Sequence, residues 1–332
     1  MMASGWVGLD VGGANLKACD ANNGVLEIPF PLWKEPHLLV DRLAGIRLRW
    51  PALQGLALTM TGELCDCFPS KVDGVVHIVK SVLTAFSGIR IECWTINGSF
   101  CSSKQALTNP IALAAANWVA LAEWCARNMG IGPTILIDMG STTTDLIYLE
   151  GGTVHCDGRT DWQRLKTGEL VYTGLIRTPV CHLVREGVCA EFFATMLDVH
   201  LILGSVNPDF SRYDSADNRT WTVENAHGRL ARMLGADLIS SSEEQRVKFA
   251  ATVELAQWEL VFRNILKVLN GRIPEKFILA GQGGRWIAKQ LNLVPIFPEQ
   301  QLILLANEWG QKGGQSSCAR ALALLATHEF GS

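Results

Sequence analysis

An α/β protein built from two duplicated lobes is what this sequence predicts, and three observations carry the prediction. Strand-like and helical runs alternate along 332 residues, 48% of them hydrophobic, enough apolar material for two lobes with cores of their own. The run Asp10-Val-Gly-Gly-Ala-Asn-Leu-Lys17 returns as Asp138-Met-Gly-Ser-Thr-Thr-Thr-Asp145, with Asp over Asp and Gly12 over Gly140 at one offset, 138 − 10 = 128 residues. Both copies sit between strand-like runs, the signature of an internal repeat. A third passage, "EKFILAGQGG", also runs from a strand into a glycine loop.

Composition narrows the partners. A formal charge of -3 and a pI near 6.2 provide no broad basic field for nucleic acid or an anionic membrane surface, so an anionic ligand needs a local site. No charged-then-apolar leader opens the chain, and the apolar stretch Ile111 to Met129 is interrupted by Asn117, Glu123 and Arg127. A cytoplasmic protein acting on small molecules is expected, with a homo-oligomer left open. The ten cysteines are scattered, and Cys65 and Cys67 lack a second pair at zinc spacing, so neither a disulfide framework nor a zinc site is expected.

Each element follows from local pattern. "GWVGLDV", "NLKACDA" and "VLEIPF", separated by glycine turns, read as a meander. A helix over 37–49, the strand "LQGLALTM", a helix over 70–86 and the strand "IRIECWTI" follow. Pro110 suits the first turn of a long helix to about Met129. Then "TILIDMGSTTTDLIYLEGGTVHCDG" repeats the meander, and the polar segment 157–178 reads as a functional loop. Ser240 or Ser241 caps a helix to Asn270, whose Glu243 or Glu244 lies in the first turn and whose apolar residues recur at three and four. After "AGQGG" come a helix from Arg285, the strand "QLILLANEW", a small-residue loop "GQKGGQSS" and a closing helix. The expected lobes are 1–110 and 111–330, the second with a helical insertion around 180–270; whether helix 315–330 packs back on the first lobe is left open.

The glycine turns define the candidate site. Glycine after a strand lets backbone N–H groups converge on phosphate oxygens. Gly12, Gly13 and Asn15 offer this in the first turn, Gly140, Ser141, Thr142, Thr143 and Thr144 in the second, and Gly281, Gly283 and Gly284 in the third. Asp10 and Asp138, at the two strand ends, are the candidates to orient a hydrated Mg2+ ion, and Lys17 to neutralise a phosphate. Taken one at a time, such loops read equally as hairpin turns; their order sets them apart.

That order, Asp-x-Gly-Gly, then Asp-x-Gly-Ser-Thr-Thr-Thr-Asp, then Ala-Gly-x-Gly-Gly, resembles the two phosphate loops and adenosine loop of the actin, hexokinase and heat-shock ATPase superfamily. The resemblance implies two duplicated actin-like (ribonuclease H-like) lobes with a ligand cleft between them. "GLDVGGANLKACD", "LTMTGELCDCFPSKVDGV", "LIDMGSTTTDLI" and "TDWQRLKTGELVYTGLIRTPV" are similar to the hydantoinase and oxoprolinase-related branch found with tetrahydromethanopterin-linked one-carbon transfer. Within that branch, the resemblance implies a transferase of methanofuran or methylofuran assembly, which joins a furanylmethyl diphosphate to the phenol of γ-glutamyltyramine or tyramine. The alternative is an ATP-dependent kinase or an oxoprolinase-like hydrolase in the same cleft. For the transferase, Glu63 and Asp145 are the candidate bases, although Glu63 reads equally as a solvated turn acid and Asp145 as a structural cap. Asp161, Arg164, Glu169, Arg177 and Thr178 are the candidate substrate contacts, and surface salt bridges would explain the same residues.

Overall fold

The computed structural model describes residues 5–294, 297 and 300–331. Its first sheet runs β3-β2-β1-β4-β5-β6, built from β1 (Trp6–Val11), β2 (Asn15–Asp20), β3 (Val25–Pro29), β4 (Gly55–Met60), β5 (Arg90–Trp94) and β6 (Phe100–Ser102). The second runs β10-β8-β7-β11-β12, from β7 (Thr134–Met139), β8 (Thr144–Glu150), β10 (Leu170–Val171), β11 (Lys276–Ala280) and β12 (Gln301–Leu304), with β9 (Thr153–His155) also paired to β8. Each sheet places its first strand centrally, between an antiparallel hairpin partner and a parallel strand reached through helices. The repeat seen in sequence is thus a repeat of topology.

Strand alternation sends the two faces of each sheet to different cores. Val7, Leu9 and Val11 join Leu39, Leu43, Ile78 and Val82 in the outer core of the first lobe, whereas Trp6 turns inward. In the second lobe Ile135 and Ile137 join Val261, Ile265 and Phe277, while Leu136 turns inward. The inward faces meet helices Asn117–Met129 and Ser317–Phe330, whose Leu121, Ala122, Cys125, Ala321, Leu322 and Leu325 fill the space between the sheets. At about 1.5–3 kcal/mol for each large apolar side chain buried, this middle layer is a major source of cohesion between the lobes. Asp10 and Asp138 occupy inward-facing positions of the same alternation, which aims both carboxylates toward the junction of the lobes.

Helix Ser317–Phe330 lies against β1: a Cβ on Gly8 would collide with the Ala319 carbonyl. The helical insertion consists of Val180–Leu183, Met196–Ile202, Val223–Met233 and the long Glu243–Leu269, with a core of Met196, Val199, Leu230, Met233, Ala250 and Val253.

Local departures from the expected elements have physical causes. The helix expected from Pro110 is interrupted, with a short 3-10 turn Pro110–Leu113, then Ala115 at φ +50°, then the helix from Asn117. The cap of the long helix is Ser242, whose hydroxyl accepts from the Gln245 N–H while Gln245 returns a bond to the Ser242 backbone. The "GQKGGQSS" loop is largely helix Gly310–Gln315; Gly314 sits directly on the Ala306 backbone, so packing there overrides the poor helix propensity of glycine. "QLILLANEW" is strand only to Leu304 and turns helical over Leu305–Glu308. Among the described residues, no helix is long and apolar enough to cross a membrane.

Candidate active site

The two repeated turns share their hydrogen bonding as well as their residues. In the first, Asp10 pairs with Lys17 across the hairpin, and the Gly12 N–H donates to the Asn15 carbonyl at 3.0 Å. In the second, Asp138 pairs with Asp145, and the Gly140 N–H donates to the Thr143 carbonyl at 2.9 Å. Both turns line one cleft of about 450 Å3 between the lobes. Gly12, Gly13 and Asn15 face Gly140, Ser141, Thr142 and Thr143 across it, with Asp10, Lys17, Glu63 and Asp145 along its walls. Asp161, Arg164 and Arg177 complete the wall from the segment after β9.

Glu63 owes its place to backbone contacts. The Thr61 and Gly62 N–H groups both donate to the Val11 carbonyl at 3.0 Å, tying the end of β4 to the first turn. From the other side, helix Lys71–Ala85 presses Gly74 onto the Glu63 backbone, with a Cβ at Gly74 falling 2.7 Å from the Glu63 Cα. The carboxyl is 1% exposed and its Oε2 has no hydrogen-bond partner. Burial pushes its pKa up to about 7, against the pull of Lys71 and with help from Asp161 and Asp10. Such a group exchanges a proton near neutral pH.

Asp10 is buried, and its Oδ1 lacks a partner. Burial raises its pKa, with Lys17 and Asn117 opposing. Burial disfavours the Lys17 ammonium, but Glu27, Asp10 and Asp138 outweigh it and hold the pKa above its ordinary value. Its Nζ donates to the Gln315 carbonyl at 3.0 Å. On the opposite wall Asp145 accepts from Arg164 Nη1 at 2.7 Å, and the guanidinium lies 3.9 Å from the centre of the Trp118 ring. Burial raises the Asp145 pKa while Arg164 opposes it. The ion pair favours the charged carboxylate and occupies Oδ1, one of the two oxygens that a base would use.

The remaining residues expected at the site do not line the cleft. Asp138 lies beneath the second turn, where its Oδ2 accepts from Ser317 Oγ at 3.3 Å and from Cys318 Sγ at 3.5 Å. Its pKa rises to about 6 through burial and the nearby Asp145, partly countered by Lys17. Thr144 donates its hydroxyl to the Thr173 carbonyl at 2.7 Å. Glu169 gathers the N–H groups of Asp157 and Gly158 and the Thr167 hydroxyl, at 2.6–2.7 Å. Thr178 accepts from the Gly174 N–H at 3.0 Å. In the third loop, Gly281 at φ +75° donates its N–H to the Gly314 carbonyl and Gly283 donates to Met139, while Gly284 opens the next helix. These groups brace the cleft from behind.

Several wall residues escaped sequence reading. Trp33, Asn117, Trp118 and Tyr172 line the cleft, with Arg177 stacked 5.5 Å from the Trp33 ring centre and Tyr172 exposed at the mouth. Trp118 sits in an apolar helical run, where an aromatic ordinarily signals core. Cys65 also reaches the wall, its Sγ 3.0 Å from where a Cβ on Gly13 would stand.

For a divalent cation, the donor set is sparse: among the described residues, no three His, Cys, Asp or Glu side chains converge on a point. Asp10, with its unpartnered oxygen, suits an ion that keeps most of its water and takes other ligands from a phosphate, as Mg2+ commonly does. Asp138, committed to Ser317 and Cys318, suits it less.

Two sheets of repeated topology with paired glycine turns across a cleft define a two-lobed α/β protein. The model of the hydantoinase/oxoprolinase family matches residues 54–285, and the chain belongs to that family. It is 30% identical over 330 residues, 96% of each chain, to the (4-{4-[2-(gamma-L-glutamylamino)ethyl]phenoxymethyl}furan-2-yl)methanamine synthase of Methanocaldococcus jannaschii. The synthase of the same name from Methanococcus vannielii is 25% identical over 217 residues, 63% of this chain and 97% of its own. Among solved structures, an archaeal actin homologue is similar with a TM-score of 0.48 and 12% identity, covering 98% of this chain and 99% of its own.

Proposed function

We propose that the chain is an enzyme of methanofuran or methylofuran assembly that forms an aryl alkyl ether from a furanylmethyl diphosphate and the phenol of γ-glutamyltyramine or tyramine. The relative from Methanocaldococcus jannaschii is named for a product carrying that phenoxymethyl-furan linkage. The observation that supports the reading best is the company Glu63 keeps: a buried carboxyl with a pKa of about 7 shares one cleft with two facing amide turns and Lys17. Ether formation needs both a proton acceptor and a place for a departing dianion or trianion.

The phenolic oxygen attacks the methylene carbon, the bond from that carbon to the diphosphate oxygen breaks with its electron pair, and Glu63 takes the phenolic proton. The furan ring feeds electron density to the methylene carbon, so stabilising the leaving pyrophosphate is the larger task. The N–H groups of the turns, Lys17 and the cationic Arg177 supply it. Trp33 and Tyr172 offer faces for the two aromatic rings of the substrates. Asp10 is the residue to hold a hydrated Mg2+, which when bound neutralises diphosphate charge. Asp145 keeps Arg164 flat on Trp118, so the base is assigned to Glu63 rather than Asp145.

The test is a substrate panel read by pyrophosphate release and by mass of product. One pyrophosphate per ether is expected from furanylmethyl diphosphate with γ-glutamyltyramine. Turnover of ATP with a small cosubstrate, and none of the furan diphosphate, would assign the cleft to a kinase or lactam hydrolase instead.

A further inference from the structure

Gln257 lies midway along helix Glu243–Leu269, fully buried, and its primary amide hydrogen-bonds to the segment behind the second turn. Its Nε2 donates to the Gly174 carbonyl at 2.8 Å and to Thr173 Oγ1 at 2.9 Å. Its Oε1 lies 3.0 Å from Nε2 of the fully buried His200. Burial pushes the His200 pKa down to about 4, so the ring is neutral; the Gly174 carbonyl, which can only accept, fixes the amide with its NH2 toward it, and Oε1 then accepts from the Nε2–H tautomer of His200. A buried primary amide costs free energy that a leucine of similar size would avoid, unless its bonds set a geometry.

The geometry it sets belongs to the turn. Gly174 packs so closely on the turn that a Cβ there would stand 2.5 Å from the Thr142 nitrogen and 2.6 Å from the Ser141 carbonyl carbon. From the next three residues, the Leu175 N–H donates to the Gly140 carbonyl at 3.0 Å, and those of Ile176 and Arg177 donate to the Ser141 carbonyl at 3.1 and 2.8 Å. With the carbonyls drawn back toward 174–177, peptide planarity turns the following N–H groups the opposite way. The first turn is bracketed by backbone too, with the Leu32 N–H donating to the Gly13 carbonyl and the Phe30 N–H to the Ala14 carbonyl, both at 2.9 Å, beside the bonds of Thr61 and Gly62 to Val11.

We propose that Gln257 is a positioning residue: through Thr173 and Gly174 it holds segment 174–177 against Gly140 and Ser141, and so aims the amides of the second turn at an anionic group in the cleft. The choice of diphosphate as that group rests on the function proposed above; the bracing of the turn does not.

The experiment compares Gln257→Leu and the gentler Gln257→Asn, which keeps the amide but shortens its reach, with Val253→Ala, a core truncation on the same helix that touches no part of the turn. Amide hydrogen exchange over 174–177 and calorimetric binding of inorganic pyrophosphate are measured on the full chain, with KM and kcat for the diphosphate substrate. Both Gln257 variants are expected to speed exchange at Leu175–Arg177, weaken pyrophosphate about tenfold and raise KM more than they lower kcat. Val253→Ala is expected to lower the melting temperature while keeping pyrophosphate affinity within about twofold. Unchanged exchange at 175–177 in both Gln257 variants overturns the inference, as does an equal loss of affinity in Val253→Ala. Faster exchange in the variants of a protein that never binds pyrophosphate leaves the bracing intact and removes the diphosphate reading.

Discussion

The two glycine turns share a backbone and differ in chemistry. Asp10–Lys17 and Asp138–Asp145 occupy equivalent cross-strand positions, and each turn closes with the same N–H to carbonyl bond. Yet the first turn sets an acid beside a base, while the second sets two acids together and needs Arg164, from helix Asp161–Thr167, to offset them. The carboxylate of Asp10 keeps an oxygen without a partner; that of Asp138 is engaged by Ser317 and Cys318. Duplication preserved the shape of the loop and released its side chains to diverge. In our reading both turns present amides, and the first lobe adds the proton acceptor and the carboxylate with an oxygen to spare.

The strongest way to break that asymmetry is to treat the two aspartates alike. Asp10→Asn should lower kcat about a thousandfold, as expected for losing a charged group that organises a leaving pyrophosphate, with the circular dichroism spectrum unchanged. Asp138→Asn should cost about tenfold or less, since its hydrogen bonds survive in the amide. Equal losses in steady-state assays would erase the distinction between the lobes. Next comes Glu63→Gln, expected to reduce kcat about a hundredfold and to abolish the fall in kcat/KM that the parent shows below about pH 7.

The same substitution has a signature in stability. The folded chain holds the Glu63 proton up to about pH 7, whereas the unfolded chain releases it near the ordinary value of 4.5. Stability from this group is therefore whole below 4.5 and lost as pH rises through 7. Glu63→Gln should match the parent near pH 4 and exceed it by about 3 kcal/mol near pH 8 in urea denaturation. A parent no less stable than the variant near pH 8 would mean that the carboxyl is better solvated than its burial indicates. The smallest effect is expected from Arg177→Ala at the mouth: KM for the diphosphate rises about tenfold with kcat within about threefold, and the loss shrinks in high salt.

What the sequence revealed and what it concealed divide along the range of the contacts involved. The repeat at 128 residues was legible because each turn is specified within eight residues, and the register Asp10↔Lys17 and Asp138↔Asp145 carries the same offset. Glu63 was a candidate from "TMTGE" alone, but its burial depends on Gly74, from a different element. The engagement of Asp138 by Ser317 and Cys318 crosses almost 180 residues and leaves no local pattern. Likewise Trp118 could not be distinguished from core until Arg164 was seen lying across it. The break at Ala115 was hidden by a helix-favouring alanine run, in which a left-handed residue separates the 3-10 turn Pro110–Leu113 from the helix that starts at Asn117.

The seat of helix Ser317–Phe330 against Gly8 has a consequence for biogenesis. Helix Ser317–Phe330 is made long after β1, so the part of the inward face that it covers stays wet until that helix has been synthesised. A nascent chain arrested at Ser316 should accordingly expose that strip of β1 and be prone to capture by chaperones, although the outer core of the first lobe is already complete.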